Sequence, residues 1–310
     1  MTTQSNALTQ HPLDTQEIAP AAISPTRTFY WSVRRELWEN RSIYIAPLAV
    51  AAVYMLGFLI SLFWLPRSLR GLEALHEATP QSIALAMPYS HAAMLIMMVG
   101  FLVGIFYSLD ALHGERRDRS ILFWKSLPVS DRTAVLSKFT IPIVILPLLS
   151  FAITIATQFV ALVMGTAILA GSGVNVGALW THTSFLHVSL VIFSHFVTVH
   201  GLWYAPLYGW LLLISAWAPR APFIWAFLPP FVVCGLEKIA FNTTYCLSLI
   251  EERLAGPQSY TPMQPDGHMH SIASLVPHNF FIEPGLWIGL AIAAIFVFAS
   301  IRLRRYRGPI

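Results

Sequence analysis

Residues 43–65 read IYIAPLAVAAVYMLGFLISLFWL, a run of apolar side chains without a charged residue. A helix needs about 20 mostly apolar residues to cross the hydrocarbon core of a bilayer, so this run predicts a transmembrane helix. Five more segments of the same kind follow along the chain. The six predicted spans cover residues 43–65, 91–109, 139–170, 186–216, 223–245 and 285–301. The sequence therefore predicts an all-α, polytopic membrane protein with six transmembrane helices.

The composition of the 310 residues agrees with a bilayer environment. Hydrophobic residues make up 56% of the chain and charged residues 11%, whereas a soluble domain carries about 25% charged residues. So few charges cannot cover a soluble globule of this size, but contact with membrane lipid removes that need. Disorder, nucleic-acid binding and a disulfide scaffold are excluded as descriptions of the whole chain. The two cysteines, Cys234 and Cys246, imply no disulfide framework.

The third and fourth predicted spans, residues 139–170 and 186–216, are longer than the roughly 20 residues that the hydrocarbon core needs. Helices of this length must tilt, kink or protrude from the bilayer. Pro142, Pro147 and Pro206 offer kink sites, because proline lacks a backbone N–H and clashes with the preceding turn.

Lysine and arginine residues lie predominantly on one side of the predicted spans. Fifteen of the 19 fall before the first span, between spans two and three, between spans four and five, or after span six, and three fall on the opposite side. Cytosolic segments carry the excess of positive charge in membrane proteins. Both termini are therefore predicted in the cytosol, with the chain in a plasma membrane, the inner membrane of a bacterium.

The segments that flank the spans predict three further features. Residues 1–26 are polar and predict a flexible cytosolic tail ahead of a single transmembrane domain, residues 27–310. Residues 28–40, TFYWSVRRELWEN, place aromatic side chains among charges, as in a helix that lies in the membrane interface. The alternative is a cytosolic extension of the first span. The outer segment 247–284 is predicted to dip partly into the bilayer, where protein or water must satisfy its backbone.

No catalytic or nucleotide-binding signature occurs in the sequence. A P-loop needs Gly-Lys before Ser or Thr, whereas the three lysines, Lys125, Lys138 and Lys238, follow Trp, Ser and Glu. The zinc-protease histidine pair and the Gly-x-Ser-x-Gly nucleophile elbow are absent too. We therefore expect no catalytic residue, no metal site and no cofactor bound by this chain. The alternative for the His-Met-His stretch at 268–270 is binding of a soft metal.

Two sets of residues inside the predicted spans are candidates for a substrate path or an intramembrane polar site. Glu237 and Lys238 form an ionisable pair within the fifth span, and such residues are functional candidates because their burial in lipid is costly. Met97 and Phe101, on the second span, fit an adaptable apolar path. A structural role, in pairing or in packing, is the alternative for both sets.

The most informative segment joins the second and third spans and reads YSLDALHGERRDRSILFWKSLPVSDRTAVLSKF over residues 107–139. It is rich in charge, yet residues 121–124 are Ile-Leu-Phe-Trp, and exposed apolar groups of this kind mark contact sites. Pro128 interrupts the chain, and Ser130 or Asp131 can cap the next helix. The segment predicts a helix, a short amphipathic helix, a turn and a helix, with the apolar side available to a partner. The alternative is packing against the chain's own helices or the lipid interface.

This segment resembles the cytosolic loop of ABC-2 type transporter permeases. The family pattern is a Glu, a short apolar stretch, a Leu/Thr-Pro-Val-Ser turn and a Lys before the third span. It is matched by Glu115, residues 121–122, residues 127–130 and Lys138. The family often has Gly-Thr where this chain has Arg119-Ser120. The layout of six spans, an amphipathic entry helix and a long last outer loop is similar to that family as well.

The resemblance implies the permease subunit of an ABC transporter, most often an exporter. In that family the loop forms a coupling helix that docks on a separate ATPase, which holds ATP and Mg, and two permeases pair with two ATPases. The residues implied to form the docking face and its polar contacts are Glu115, Arg119, Ser120, Ile121, Leu122, Phe123, Trp124 and Lys125. Alternatives are a metal- or maturation-linked ABC permease, a membrane anchor or sensor without transport, and an intramembrane enzyme.

Overall fold

The computed structural model describes residues 24–62, 78–127, 129–170, 185–256 and 280–308. Within these ranges all regular structure is helical, without a strand. The helices are α1 (Pro25–Glu39), α2 (Ser42–Leu62), α3 (Ala78–Asp110), α4 (His113–Arg117), α5 (Ser120–Ser126), α6 (Asp131–Thr140), α7 (Leu146–Ala170), α8 (Phe185–His195), α9 (Ala205–Trp217), α10 (Pro222–Phe241), α11 (Tyr245–Ala255) and α12 (Pro284–Tyr306). Segments of π-helix lie at Ile141–Ile145 and Phe196–Trp203.

Several of the described helices have the length and hydropathy of membrane spans. Five qualify singly, and one further candidate is a pair of helices, Ser189–Trp203 and Ala205–Trp217, that meet at 44°. The five are Ser42–Leu62, His91–Arg117, Asp131–Ile168, Pro222–Phe241 and Pro284–Tyr306. The described residues thus have an all-helical architecture with five candidate spans, or six if the bent pair is one, as in a multi-pass membrane protein. The predicted all-α class is confirmed for the described residues, and the count of six spans stays a prediction.

Both long predicted spans depart from a straight α-helix next to proline. Pro142 lies inside the π-helical segment Ile141–Ile145, between α6 and α7. The π-helical segment Phe196–Trp203 ends at Tyr204, two residues before Pro206 in the first turn of α9. Because proline cannot donate a hydrogen bond to the preceding turn, helices change direction at such positions. The bend of 44° at Tyr204 has this origin.

Helix α9 lies at the centre of the bundle with most of its side chains buried. It packs along α12, and Gly209 permits the close approach. A Cβ atom at Gly209 would lie 3.3 Å from Phe296 and 3.4 Å from Ala293. The C-terminal end of α9 thereby reaches the residues 111–130 that join α3 to α6, which we call the connecting loop.

The start of the described structure differs from the predicted domain layout. The predicted flexible tail 1–26 overlaps α1, which begins at Pro25, and residues 1–23 lie outside the described residues. Helix α3 begins at Ala78, well before the predicted span start at His91. Most of the predicted re-entrant segment, and the histidines at 268 and 270, also lie outside the described residues.

The fifth span ends earlier than predicted. Helix α10 stops at Phe241 because Asn242 adopts a left-handed conformation, with φ 51°, and such a residue terminates a helix. The chain turns back into α11, and a disulfide joins Cys234 of α10 to Cys246 of α11. The sequence-based expectation that the cysteines imply no disulfide framework is corrected to one bond, because the turn at Asn242 brings positions twelve apart together.

Candidate functional site

The connecting loop folds into the predicted pattern of short helices. Helix α4 ends before Arg119, whose φ of 57° is left-handed, and α5 begins at the next residue. Ser130 caps α6, since its Oγ accepts a hydrogen bond from the backbone N–H of Thr133 at 3.1 Å. Pro128 lies outside the described residues. The left-handed backbone at Arg119 ends α4 and changes the direction of the chain, so that α5 is a separate helix.

The four apolar residues of α5 have different environments. Ile121 is 1% exposed and packs inward, whereas Leu122 and Phe123 are 58% and 60% exposed. Trp124 is partly buried, between the ring of Phe123 and the guanidinium of Arg35, which lies 3.8 Å from the indole centroid. Of the four residues predicted to form an apolar face, Leu122 and Phe123 are therefore exposed. Ile121 and Trp124 instead pack against the rest of the chain.

The polar residues predicted around α5 are mostly engaged within the chain. Lys125 Nζ donates to the backbone carbonyl oxygens of Arg305 and Arg307, both at 3.4 Å. Ser120 Oγ donates to the carbonyl oxygen of Glu115 at 3.4 Å. Arg119 is exposed. The carboxylate of Glu115 is buried and faces the interior, so it is not presented at the surface as the expected docking role would require.

Behind α5 lies a group of five charged side chains, four of them buried and Arg35 partly buried, which we call the charge cluster: Arg35, Glu36, Glu115, Lys138 and Arg304. Lys138 Nζ lies 2.9 Å from Glu36 Oε1 and 3.2 Å from Glu115 Oε1. Arg35 Nη2 lies 2.6 Å from Glu36 Oε1 and 3.2 Å from Glu115 Oε1. Arg304 pairs with Glu115 through Nη1. The cluster joins α1, α4, α6 and α12 at one point.

The electrostatic balance within the charge cluster favours the ionised form of Glu36. Burial disfavours the carboxylate of Glu36, but Lys138 and Arg35 outweigh burial and hold the pKa of Glu36 below its ordinary value. Tyr107 also donates a hydrogen bond to Glu36 Oε2 at 2.9 Å. A lowered folded-state pKa adds stability above the unfolded-state pKa, and that contribution is lost as the pH falls through the folded-state value. The contribution of Glu36 is therefore present at neutral pH and lost in acid.

A second set of contacts braces the connecting loop against the end of α9. Ser215 Oγ accepts hydrogen bonds from the backbone N–H groups of Leu112 at 3.0 Å and His113 at 2.9 Å. Arg116 Nη1 donates to the carbonyl oxygens of Ala216 at 2.8 Å and Ala218 at 3.3 Å. The loop is thus fixed to the central helix of the bundle as well as to the charge cluster.

An open cleft of about 320 Å³ lies between α1 and the connecting loop. Apolar, aromatic and cationic side chains form its walls; they include Trp31, Arg35, Trp124, Leu127, Val129 and Arg304. The cleft and the exposed pair on α5 together form an amphipathic surface large enough to receive side chains of another protein.

The backbone at Arg119 makes a first prediction. A left-handed conformation costs a non-glycine residue about 1–2 kcal/mol, so Arg119→Gly is expected to raise the free energy of unfolding by about 1 kcal/mol. Arg117→Gly, in the adjoining helix α4, is the matched control and is expected to lower it by about 1 kcal/mol. Thermal unfolding of the purified protein measures both. An Arg119→Gly variant no more stable than Arg117→Gly would contradict the assigned backbone.

The intramembrane candidates occupy two unrelated places. Phe101 lies in an aromatic group on α3, 4.8 Å from the ring of Tyr204 and 6.4 Å from that of His200. Met97 is partly buried and packs against a different cluster, formed by Ala93, Ile192 and Phe196. A substrate path along these residues stays a prediction.

Glu237 has a defined local role. Its carboxylate accepts hydrogen bonds from Thr243 Oγ1 at 2.6 Å and from the backbone N–H groups of Tyr245 and Cys246, both at 2.7 Å. It therefore caps the start of α11, while Lys238 is exposed. These contacts favour the structural alternative for Glu237.

Sequence reasoning identified the loop but missed most of the residues that hold it. Glu36, Arg304 and Ser215 lie 79, 189 and 100 positions from Glu115 in sequence. The only sequence signal was that each lies near an end of a predicted helix on the positively charged side. No group of three metal-ligating side chains occurs among the described residues.

Comparison of the chain with protein-family models, with curated proteins and with solved structures finds no match. The resemblance to ABC-2 type permeases therefore depends on the loop motif and on the layout of the spans.

Proposed function

We propose that this chain is the permease subunit of an ABC transporter, and that α5 is the helix on which a separate ATPase docks. The observation that carries the proposal is the exposed pair Leu122 and Phe123 on α5, a helix that the buried Ile121 and the partly buried Trp124 hold against the rest of the chain. Soluble surfaces seldom expose adjacent large apolar side chains unless a partner covers them.

The anchoring of α5 supports a mechanical role. A buried charge left without its partner costs about 3–5 kcal/mol, so the charge cluster resists separation of α4 from α1, α6 and α12. The π-helical segment and α7 continue α6 into a candidate span, and α12 is itself a candidate span. A force applied at Leu122 and Phe123 is therefore transmitted to two spans at once.

The backbone of the loop also supports the family resemblance. The left-handed φ of Arg119 is the conformation that favours glycine. ABC-2 type permeases often have Gly-Thr at the position of Arg119-Ser120. Arg119 therefore differs from the family in its side chain, but its backbone has a conformation that glycine adopts without strain.

The energy source must come from another chain, because the sequence has no P-loop. We propose two ATPase copies, holding ATP and Mg, with two permease copies. ATP-driven closure of the ATPases would shift the spans between inward-open and outward-open populations by differential binding. Export is the proposed direction.

The proposed orientation places both termini and the connecting loop in the cytosol of a bacterial inner membrane. The distribution of Lys and Arg supports it. The Cys234–Cys246 disulfide supports it independently, because α11 would lie on the outer side, where disulfides persist.

Purification of the full chain from native membranes in mild detergent tests the proposal. We expect a second protein with a P-loop to copurify in a one-to-one ratio and to hydrolyse ATP. Recovery of the chain alone, after crosslinking in the membrane before solubilisation, would overturn the proposed function.

A further inference from the structure

Helix α11 is attached to α10 at its first turn. Besides the capping of its backbone by Glu237, the Cys234–Cys246 disulfide ties it covalently to α10, with the two Cα atoms 5.2 Å apart. These are the only cysteines in the sequence, so no other thiol of the chain competes for this bond.

The last turn of α11 is attached to a different part of the bundle. Arg253 Nη1 donates to the carbonyl oxygen of Trp203 at 3.2 Å, and Nη2 donates to that of Gly285 at 3.0 Å. Its guanidinium lies 4.2 Å from the centroid of the Trp203 ring. Arg253 thus joins the broken span at Trp203 to the first turn of α12.

Two return contacts complete this attachment. Trp203 Nε1 donates to the carbonyl oxygen of Arg253 at 3.0 Å, and the hydroxyl of Tyr204 donates to that of Leu254 at 2.9 Å. Tyr204 is the residue at which the helix axis bends. The end of α11 therefore contacts the last residue before the bend and the residue at the bend.

Gly289 of α12 makes room for Arg253. A Cβ atom at Gly289 would lie 2.6 Å from Arg253 Nη2, a separation that real side chains do not tolerate. Glycines spaced four residues apart, as Gly285 and Gly289 are, commonly let two helices pack closely, but in this structure a guanidinium occupies the space at Gly289.

Helix α11 has little else to hold it. None of its eleven residues is buried in the described structure, and an isolated helix of this length is marginal in water. Its position therefore depends on the attachment at Cys246 and on that at Arg253.

We propose that α11 is an oxidation-dependent clamp: formation of the Cys234–Cys246 bond seats Arg253 on the bend at Trp203–Tyr204 and fixes that bend. The bond forms from two thiols by thiol–disulfide exchange with an oxidising protein disulfide, which accepts two electrons and two protons and becomes a dithiol. The compartment of this step depends on the proposed orientation, whereas the coupling between the bond and Arg253 does not.

Alkylation of the full chain in native membranes tests whether the Cys234–Cys246 bond forms. A membrane-impermeant maleimide is expected to label neither cysteine before reduction and both cysteines after reduction with dithiothreitol. Mass spectrometry then shows the chain heavier by two maleimide groups. Labelling of both cysteines without reduction in unbroken membranes would overturn the bond. Labelling after reduction only in broken membranes would contradict the proposed orientation while leaving the clamp intact.

Hydrogen–deuterium exchange of the chain in lipid nanodiscs tests whether the Cys234–Cys246 bond and Arg253 fix the bend at Trp203–Tyr204. Reduction is expected to raise amide exchange about ten-fold in residues 245–255 and also in residues 199–204, because the clamp opens locally. Arg253→Ala, with the disulfide intact, is expected to raise exchange in 199–204 to a similar extent. Glu251→Ala, on the same helix and exposed, is the matched control and is expected to change neither segment.

Unchanged amide exchange within α2 (Ser42–Leu62) shows that the bundle remains folded in the reduced chain and in both variants. The clamp is overturned if reduction leaves 199–204 unchanged, or if Arg253→Ala protects 199–204 as well as Glu251→Ala does. Faster exchange in 245–255 alone would likewise overturn it, because α11 would then be held by the disulfide without acting on the bend.

Discussion

Replacement of Leu122 and Phe123 by aspartate is expected to abolish copurification of the proposed ATPase partner while the chain still inserts in the membrane. Burying one such side chain is worth about 1.5–3 kcal/mol, so losing both lowers the affinity by roughly 100-fold or more. The new carboxylates add a desolvation cost at the same interface. Because both positions are exposed in the chain itself, the substitutions remove no buried side chain, and the internal contact they break is the edge contact of the Phe123 ring with Trp124.

The measurement is quantitative recovery of the P-loop protein with the tagged chain, with membrane abundance and thermal unfolding as readouts of folding. Tyr306→Asp is the matched control, since Tyr306 is an aromatic residue that is 71% exposed on the same proposed face. We expect Tyr306→Asp to retain the ATPase. Undiminished recovery with the Leu122→Asp/Phe123→Asp variant would refute α5 as the docking helix.

The second large effect is expected at the centre of the charge cluster. Lys138→Met leaves the carboxylates of Glu36 and Glu115 without the ammonium that lies within 3.2 Å of both. Removing one partner of a buried ion pair costs about 3–5 kcal/mol. For a protein of this size that loss lowers the midpoint of thermal unfolding by roughly 10 °C.

Arg132→Met is the control, because Arg132 is an exposed cation on the same helix, and its midpoint is expected to stay within a few degrees. A Glu36→Gln/Lys138→Met double variant separates the loss of the charge pair from the change in side-chain size. Its midpoint of thermal unfolding is expected to fall by less than the sum of the falls of the two single variants. Additive losses, or a Lys138→Met midpoint equal to that of Arg132→Met, would show that the cluster does not act as a unit.

The helical architecture could be predicted from the sequence because a bilayer demands long apolar runs, and few sequences satisfy that demand by chance. The short helices of the connecting loop could be predicted for a local reason too. Ser130 offers an oxygen to the next N–H groups, and residues 121–124 are apolar within a charged segment. Such signals depend only on neighbours in the chain.

The charge cluster could not be predicted because, apart from Arg35–Glu36, its pairs join residues that are far apart in sequence. Glu115 is a plausible surface residue until Arg304 and Lys138 are placed beside it. The same holds for Cys234 and Cys246, whose bond depends on the left-handed turn at Asn242. A pattern of residue types does not specify which of several charges or thiols will meet.

The backbone carbonyls that hold Lys125 belong to Arg305 and Arg307, and the carbonyl of Gly308 accepts a hydrogen bond from Arg116 at 3.3 Å. The end of the described chain is thus part of the support beneath α5. A fluorescent protein or affinity tag fused there would strain these hydrogen bonds, whereas a fusion ahead of α1 avoids them. Assays of the proposed docking should therefore carry their labels ahead of α1.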